Sequence, residues 1–372
     1  MNPKLPVTRR SVMAGAIASA ALTSLPLRAR ETPFEVPLVD WLTLTVLTDN
    51  ATFGPFLPDV ELAGLKVLRA GNGSAPGYAR MSANALMGEF GLSLLADSRV
   101  ADVSRRVLVD FGYTTQVLAN NMAMLGVDPS SIDASVLSHG HLDHYGGFSA
   151  LFGTSAQQAA KTGRALPLYV GGEETFCERV AMIGDPPPVM GMLDRAVLAQ
   201  AGFEVRIAPQ AATVADHAFT TGIIPLETSE RPAIPTRMRP GTGCQRDGLR
   251  ADKRDLAEIP DDGEHELATC YAIRGLGLVV IASCSHRGVL NSVRRAQAIS
   301  GITKVHMVIG GFHLVRPRTA DEARQTVAAF IAIDPSYIVP MHCTGEMFIE
   351  EALRQMPDKI IRPYVGTRLV MG

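Results

Sequence analysis

Several things are scarce in this 372-residue chain, and each scarcity excludes a class of protein. There are only five cysteines (Cys177, Cys244, Cys270, Cys284 and Cys343), an odd number with no Cys-x-x-Cys pair. That rules out a disulfide framework. In an oxidising compartment one bridge remains available, but the spacing does not assign it. No apolar run is long enough for a permanent membrane span. Charge of either sign is nearly absent in the balance, with a formal net of −2, which argues against an obligate nucleic-acid binder. No fixed-period repeat marks a solenoid. A hydrophobic content of 47% is ample for a core, and the length allows one large α/β domain.

The N-terminus has the order of an export signal. Thr8-Arg9-Arg10-Ser11-Val12-Met13 precedes Ala14 to Leu25, which is small, apolar and uncharged, and Leu27-Arg28-Ala29 offers a cleavage site. The paired arginines predict a twin-arginine signal over residues 1–29, a mature domain over 30–372, and a periplasmic or secreted location. Removing residues 1–29 takes away Lys4, Arg9, Arg10 and Arg28 and no acid, so the net charge falls from −2 to −6. Export of an already folded chain suits an enzyme whose metal is loaded beforehand.

Histidine is also uncommon, at nine residues, yet three stand within Ser138-His139-Gly140-His141-Leu142-Asp143-His144-Tyr145-Gly146-Gly147. The apolar run Ile132–Leu137 before them reads as a buried strand. His139 and His141 point the same way in extended backbone, and Gly140 lets the chain turn between them. Imidazole and carboxylate suit zinc, iron or manganese. Three later stretches repeat the plan of strand, histidine, helix: Gly277–Ala282 then His286, Lys304–Ile309 then His313, and Tyr337–Pro340 then His342. Helices are expected over 288–299, 320–333 and 345–355. Open α/β sheets bind ligands beyond the carboxyl ends of their strands, so four such histidines predict one site drawn from both halves of the chain.

Elsewhere, 91–95 and 106–109 read as a hairpin and 113–126 as a helix. Asp110 is either a turn residue or a carboxylate behind the metal histidines. Residues 148–161 and 194–201 read as helices, 166–170 and 203–208 as strands, and 185–192 as a loop. Residues 51–87 look like an insertion or lid. The polar, Pro- and Gly-rich stretch 228–265 reads as a long connection and as the rim of a substrate pocket.

His139-x-His141-x-Asp143-His144 after an apolar strand resembles the metallo-β-lactamase superfamily signature. Ser283-Cys284-Ser285-His286-Arg287-Gly288, Gly310-Gly311-Phe312-His313-Leu314, Met341-His342-Cys343-Thr344-Gly345 and Thr220–Pro225 resemble its dihydropterin-ribofuranosylaminobenzene-phosphate-synthase-like branch, over about residues 40–370. The resemblance implies a four-layer αββα sandwich with inserted loops and one or two divalent metal ions, zinc first. It implies His139, His141, Asp143, His144, His286 and His342 as ligands. Two family features are missing. No Pro-Gly-His turn follows the first motif, and His217 and His265 are the only histidines in that interval. No aspartate follows the strand ending before Cys284, so Cys284 or His286 must stand in its place, or the site holds fewer metals. This argues against β-lactam hydrolysis.

The expected activity is hydrolysis of a small ester, lactone or phosphoester by metal-bound hydroxide. Asp143 would orient that hydroxide and His313 would contact substrate or oxyanion. Thr344 would either hydrogen-bond a substrate oxyanion or cap the helix after it. The alternatives are a redox or oxygen-handling di-metal protein, with no flavodoxin-like extension to couple a flavin, and a non-catalytic metal-binding protein.

Overall fold

A computed structural model describes residues 34–52, 57–69, 85–151 and 165–372. The signal sequence, residues 53–56 and 70–84 of the 51–87 insertion and residues 152–161 of the helix expected over 148–161 lie outside these residues; the described part of 51–87 supplies two edge strands, Val60–Leu62 and Leu65–Leu68, rather than a lid. What is described of that helix is a single 3₁₀ turn, Phe148–Leu151.

Two large sheets dominate the described residues. The first has nine strands, in the order Phe203–Ile207, Leu166–Val170, Ala134–Leu137, Val103–Val109, Ser93–Val100, Trp41–Thr48, Arg368–Met371, Leu65–Leu68, Val60–Leu62. The second has seven, running Ala212–Val214, Ala218–Thr220, Thr269–Ile273, Gly277–Ala282, Val305–Gly310, Tyr337–Pro340, with Leu38–Val39 beside Thr269–Ile273. Alternate side chains of a strand face opposite ways, and here both faces are apolar. Leu44 and Val46 of one sheet meet Val279, Ile281, Met307 and Ile309 of the other in a shared core. The intervening Leu278, Val280 and Val308 instead pack on helices Val289–Ser300, Ala320–Ile333 and Glu346–Gln355. Leu47, Leu95 and Leu108 pack on the opposite side with helix Thr115–Met124. Three apolar seams between helix, sheet, sheet and helix make the αββα sandwich expected from the sequence.

The 228–265 stretch is more ordered than a connection. Thr236–Arg239 and Ile259–Pro260 pair with Glu178–Ala181, which in turn pairs with Val189–Gly191, so a small antiparallel sheet stands at one end of the sandwich. The loop expected over 185–192 therefore ends in a strand. A disulfide joins Cys177 to Cys244 across 67 residues and ties this small sheet's loops together; the cysteine count left that pairing open.

Strand ends place the site. Val107–Val109, Ala134–Leu137 and Leu166–Val170 run parallel in the first sheet, as do Gly277–Ala282, Val305–Gly310 and Tyr337–Pro340 in the second. Their carboxyl ends carry Asp110, His139, Cys284, His313 and His342.

Candidate metal centre

Two clusters of donor atoms lie side by side at these strand ends. In the first, His139 Nε2 is 3.0 Å from His141 Nδ1, and His286 Nε2 is 3.2 Å and 3.1 Å from those two atoms. Three ring nitrogens in so small a triangle cannot satisfy one another, because each proton serves one pair; a central cation accepts all three lone pairs. In the second, Asp143 Oδ2 is 3.2 Å from His342 Nε2 and 3.6 Å from His144 Nε2. The His139 and His144 rings are 4.2 Å apart between centroids, so the clusters adjoin. The five imidazoles that the resemblance implies as ligands thus divide between two adjacent centres. Cys284 belongs to both neighbourhoods, with His139 and His144 on one side and His342 and Cys343 on another.

The outer partners turn the lone pairs inward. His144 Nδ1 donates to Asp110 Oδ2 at 2.7 Å, leaving Nε2 facing the second cluster without a hydrogen-bond partner among the described residues. His141 Nε2 donates to Asp261 Oδ2 at 3.0 Å, which leaves its Nδ1 as the free lone pair. His139 Nδ1 meets Ser138 Oγ at 2.9 Å. Neither ring nitrogen of His342 has an oriented partner among the described residues, although both are buried; the Asp143 contact is close but poorly aligned for a hydrogen bond. Buried, orphaned and inward-facing nitrogens next to a carboxylate fit a divalent cation of the zinc, iron or manganese kind.

Protonation of the metal-free protein fits the first cluster, where the rings stay neutral, and differs at His144, whose Nε2 carries a proton toward Asp143 until a cation displaces it. Burial, then the neighbouring imidazoles, pushes His139 and His286 well below the usual histidine range. Burial also lowers His141, against the pull of Asp261. Burial opposes charge on His144 too, but Asp143 and Asp110 overcome it and raise that ring to about 9. Burial works against ionisation of Asp143, yet His144 and His342 hold its carboxyl well down.

Several residues do other work than the sequence suggested. Asp110 is both alternatives at once: it turns the chain with φ +58° and its carboxylate holds His144 and the Ser138 amide and hydroxyl. Thr344 does not cap the helix after it. Its hydroxyl faces the Met341 and Gly310 carbonyls and accepts from the Phe312 amide, and Gly345 takes the cap position without a side chain. Gly140 is needed for close approach rather than a turn, since a Cβ there would lie 2.1 Å from the Thr175 carbonyl oxygen. His217 pairs with Ser98, away from the clusters, and His265 pairs with Arg179. His286 fills the place beside His139 and His141 that neither of them takes. His313 is part-exposed, with φ +49°, its ring 4.3 Å from that of His286 and its Nδ1 3.7 Å from Cys284 Sγ.

Reading the sequence missed the buried group behind His141. Arg179 is 2% exposed. Its Nε donates to Asp261 at 3.0 Å, and its other nitrogens bond the Thr175, Cys177 and Glu174 carbonyls and His265. Asp49 and Glu266 were missed likewise; they accept the backbone amides of His342 and His286. Asp261→Asn is expected to weaken divalent-metal affinity by about 10–100-fold, the scale of losing an outer partner of a ligand histidine. It also leaves Arg179 charged and unpaired, which costs about 3–5 kcal/mol of stability. Chelator competition and urea unfolding measure the two effects separately.

Beside the clusters lies a cleft of about 710 Å³, lined by Met182, Leu226, Ile234, Arg250, Asp261 and Arg287 among others. Most of its wall comes from the 226–264 stretch, and Asp261 is shared with the first cluster.

Residues 99–189 match the family model described as the metallo-beta-lactamase superfamily. Among curated proteins, the chain is 28% identical over 273 residues to the 7,8-dihydropterin-6-methyl-4-(beta-D-ribofuranosyl)-aminobenzene-5'-phosphate synthase of Methanocaldococcus jannaschii, spanning 71% of this chain and 85% of the relative. It is 25% identical over 245 residues to an uncharacterized protein of the same organism, spanning 65% and 80%. Among solved structures, a metal-dependent hydrolase of the beta-lactamase superfamily aligns with a TM-score of 0.62 at 23% identity, over 88% of this chain and 98% of the other.

Proposed function

We propose that this chain, which carries a metallo-β-lactamase superfamily domain in the fold of that superfamily, is a metal-dependent hydrolase of a small ester, lactone or phosphoester. The observation that carries the reading is the pair of adjoining clusters, His139–His141–His286 and Asp143–His144–His342, whose lone pairs are turned inward by Asp261 and Asp110. A divalent ion held there by these residues would lower the pKa of a bound water to roughly 7 and so would supply a nucleophile at neutral pH. Zinc suits these donors best, with the Cys284 sulfur within reach of both clusters. Asp143 stays ionised and orients that water by accepting its hydrogen bond. His313 stands beside His286 and donates to the oxygen on which charge develops. The 710 Å³ cleft offers the substrate an apolar wall at Met182, Leu226 and Ile234, with Arg250 and Arg287 for an anionic group.

The named relative supports a second reading. It is a synthase, so an acceptor other than water is a competing outcome for the same site. One experiment separates them. Protein purified without added metal is analysed for zinc, iron and manganese, then assayed on esters, lactones and phosphoesters with and without chelator. Chelator-sensitive hydrolysis supports the proposal; a fully loaded protein that hydrolyses none of the panel refutes it.

We also propose export. The Cys177–Cys244 bridge fits an oxidising compartment, as the signal over residues 1–29 does. Arg9→Lys with Arg10→Lys is expected to leave uncleaved precursor inside the cell, read by fractionation and by the mature N-terminus near Arg30. Normal export of the double variant would sink the twin-arginine assignment.

A further inference from the structure

Cys284 and Cys343 are the strongest feature that the proposed reaction does not use as a pair. Their sulfurs are 3.0 Å apart and both residues are 3% exposed. They follow the strands Gly277–Ala282 and Tyr337–Pro340, which flank Val305–Gly310 on either side. Second-neighbour strands are about 9–10 Å apart, beyond the reach of a pair of cysteines standing straight up. The chain closes the gap over Gly310-Gly311. A Cβ on Gly311 would lie 2.6 Å from Cys343 Sγ and 2.7 Å from the Ser283 carbonyl oxygen, and one on Gly310 would lie 2.0 Å from the Ala282 carbonyl oxygen. The absence of a side chain at Gly311 therefore leaves the Cys343 sulfur its place beside Cys284, and that at Gly310 lets the two strands close. Cys343 Sγ also lies 3.6 Å from the Cys284 carbonyl oxygen. The remaining free cysteine, Cys270, is buried within the strand Thr269–Ile273 and serves as an internal control.

We propose that Cys284 and Cys343 are a redox pair: in the metal-free protein a low-molecular-weight disulfide oxidises them to an intramolecular disulfide, and that form binds divalent metal more weakly. Two S–H bonds break and one S–S bond forms. Two protons and two electrons pass to the oxidant, whose own S–S bond is cleaved to give two small thiols. The oxidant reaches the sulfurs from the side of His313, which is part-exposed and touches Cys284. Once bonded to Cys343, Cys284 is no longer available as a thiolate to the donors around it, which include His139, His144 and His286. The effect on metal rests on the metal-site reading above; the disulfide itself does not.

The mature chain is stripped with chelator, exposed to oxidised glutathione, denatured, alkylated and mapped by peptide mass. A cross-link between the Cys284 and Cys343 peptides, with Cys270 alkylated, is the expected result. Zinc-loaded protein is expected to keep all three thiols alkylatable. Zinc titration of the oxidised form should show at least tenfold weaker binding, restored by dithiothreitol. Cys343→Ser should abolish the cross-link and lose the effect of oxidant on zinc binding, each variant being compared with its own reduced form; Cys343→Ala replaces it should the serine variant fold poorly. Free thiols or glutathione adducts at Cys284 and Cys343 in place of the cross-link overturn the pair. A cross-linked protein that binds zinc unchanged overturns the effect on metal. Reduced wild type that binds no zinc, iron or manganese refutes the metal-site reading and with it the metal half of this proposal, whereas the cross-link is scored independently.

Discussion

His141→Ala is expected to lose metal and activity together. His141 is the ligand through which the buried Asp261–Arg179 pair reaches the first cluster, and its Nδ1 is 3.0 Å and 3.1 Å from the other two donors. With alanine there, two imidazoles remain in that cluster, below the three protein ligands that a catalytic zinc site keeps. The loss should exceed the 10–100-fold expected for Asp261→Asn, since a donor is removed rather than misaimed. Turnover should fall to that of chelator-treated protein. The fold should survive, because Asp261 retains Arg179 and Thr236 as partners. Metal analysis after gel filtration, beside a far-UV circular dichroism spectrum, checks this. A folded His141→Ala protein with a full metal complement would remove His141 from the site.

His313→Ala is expected to separate what His141→Ala joins. His286 already completes the first cluster, and the second has Asp143, His144 and His342. A further ligand from His313 would crowd the position that water needs. Metal content should stay near wild type while activity drops about 10²-fold or more, the scale of losing one oxyanion donor. Because His313 has φ +49°, alanine is strained there; His313→Asn, which tolerates this conformation better, should show the same division. Should either variant come out stripped of metal, His313 is a ligand and His286 becomes the first assignment to reconsider.

The strand-end histidines were legible because they are local, and the sandwich was legible through the family resemblance that those motifs carry. Each strand that carries a histidine is an apolar run followed within a few residues by that histidine, and helix Ala320–Ile333 has the bounds its pattern implied. What escaped is what pairs across the chain. Asp261 is 120 residues from His141 and lies in a polar stretch with no periodicity, and Arg179 reads like any surface arginine until it proves 2% exposed. The same holds for Cys177 and Cys244. Thr344 misled for a different reason. A hydroxyl before a helix suits a cap, but the turn at His342 directs it back onto the Met341 carbonyl, where it bonds at 2.7 Å.

Half of the eight non-glycine residues with positive φ among the described residues stand at the strand ends of the site: Asp110, Ser285, His313 and His342. A left-handed backbone costs an ordinary residue roughly 1–2 kcal/mol. Four together are comparable with a good part of the roughly 5–15 kcal/mol that holds a typical domain folded. Glycine would relieve the backbone at each of them, but at Asp110 it would strip His144 and Ser138 of their buried acceptor, and at Ser285 it would leave the Gly311 carbonyl without its donor. A laboratory selection for heat resistance alone would therefore find its cheapest gain at His313, the part-exposed one of the four, and its survivors would be the ones that turn over substrate poorly.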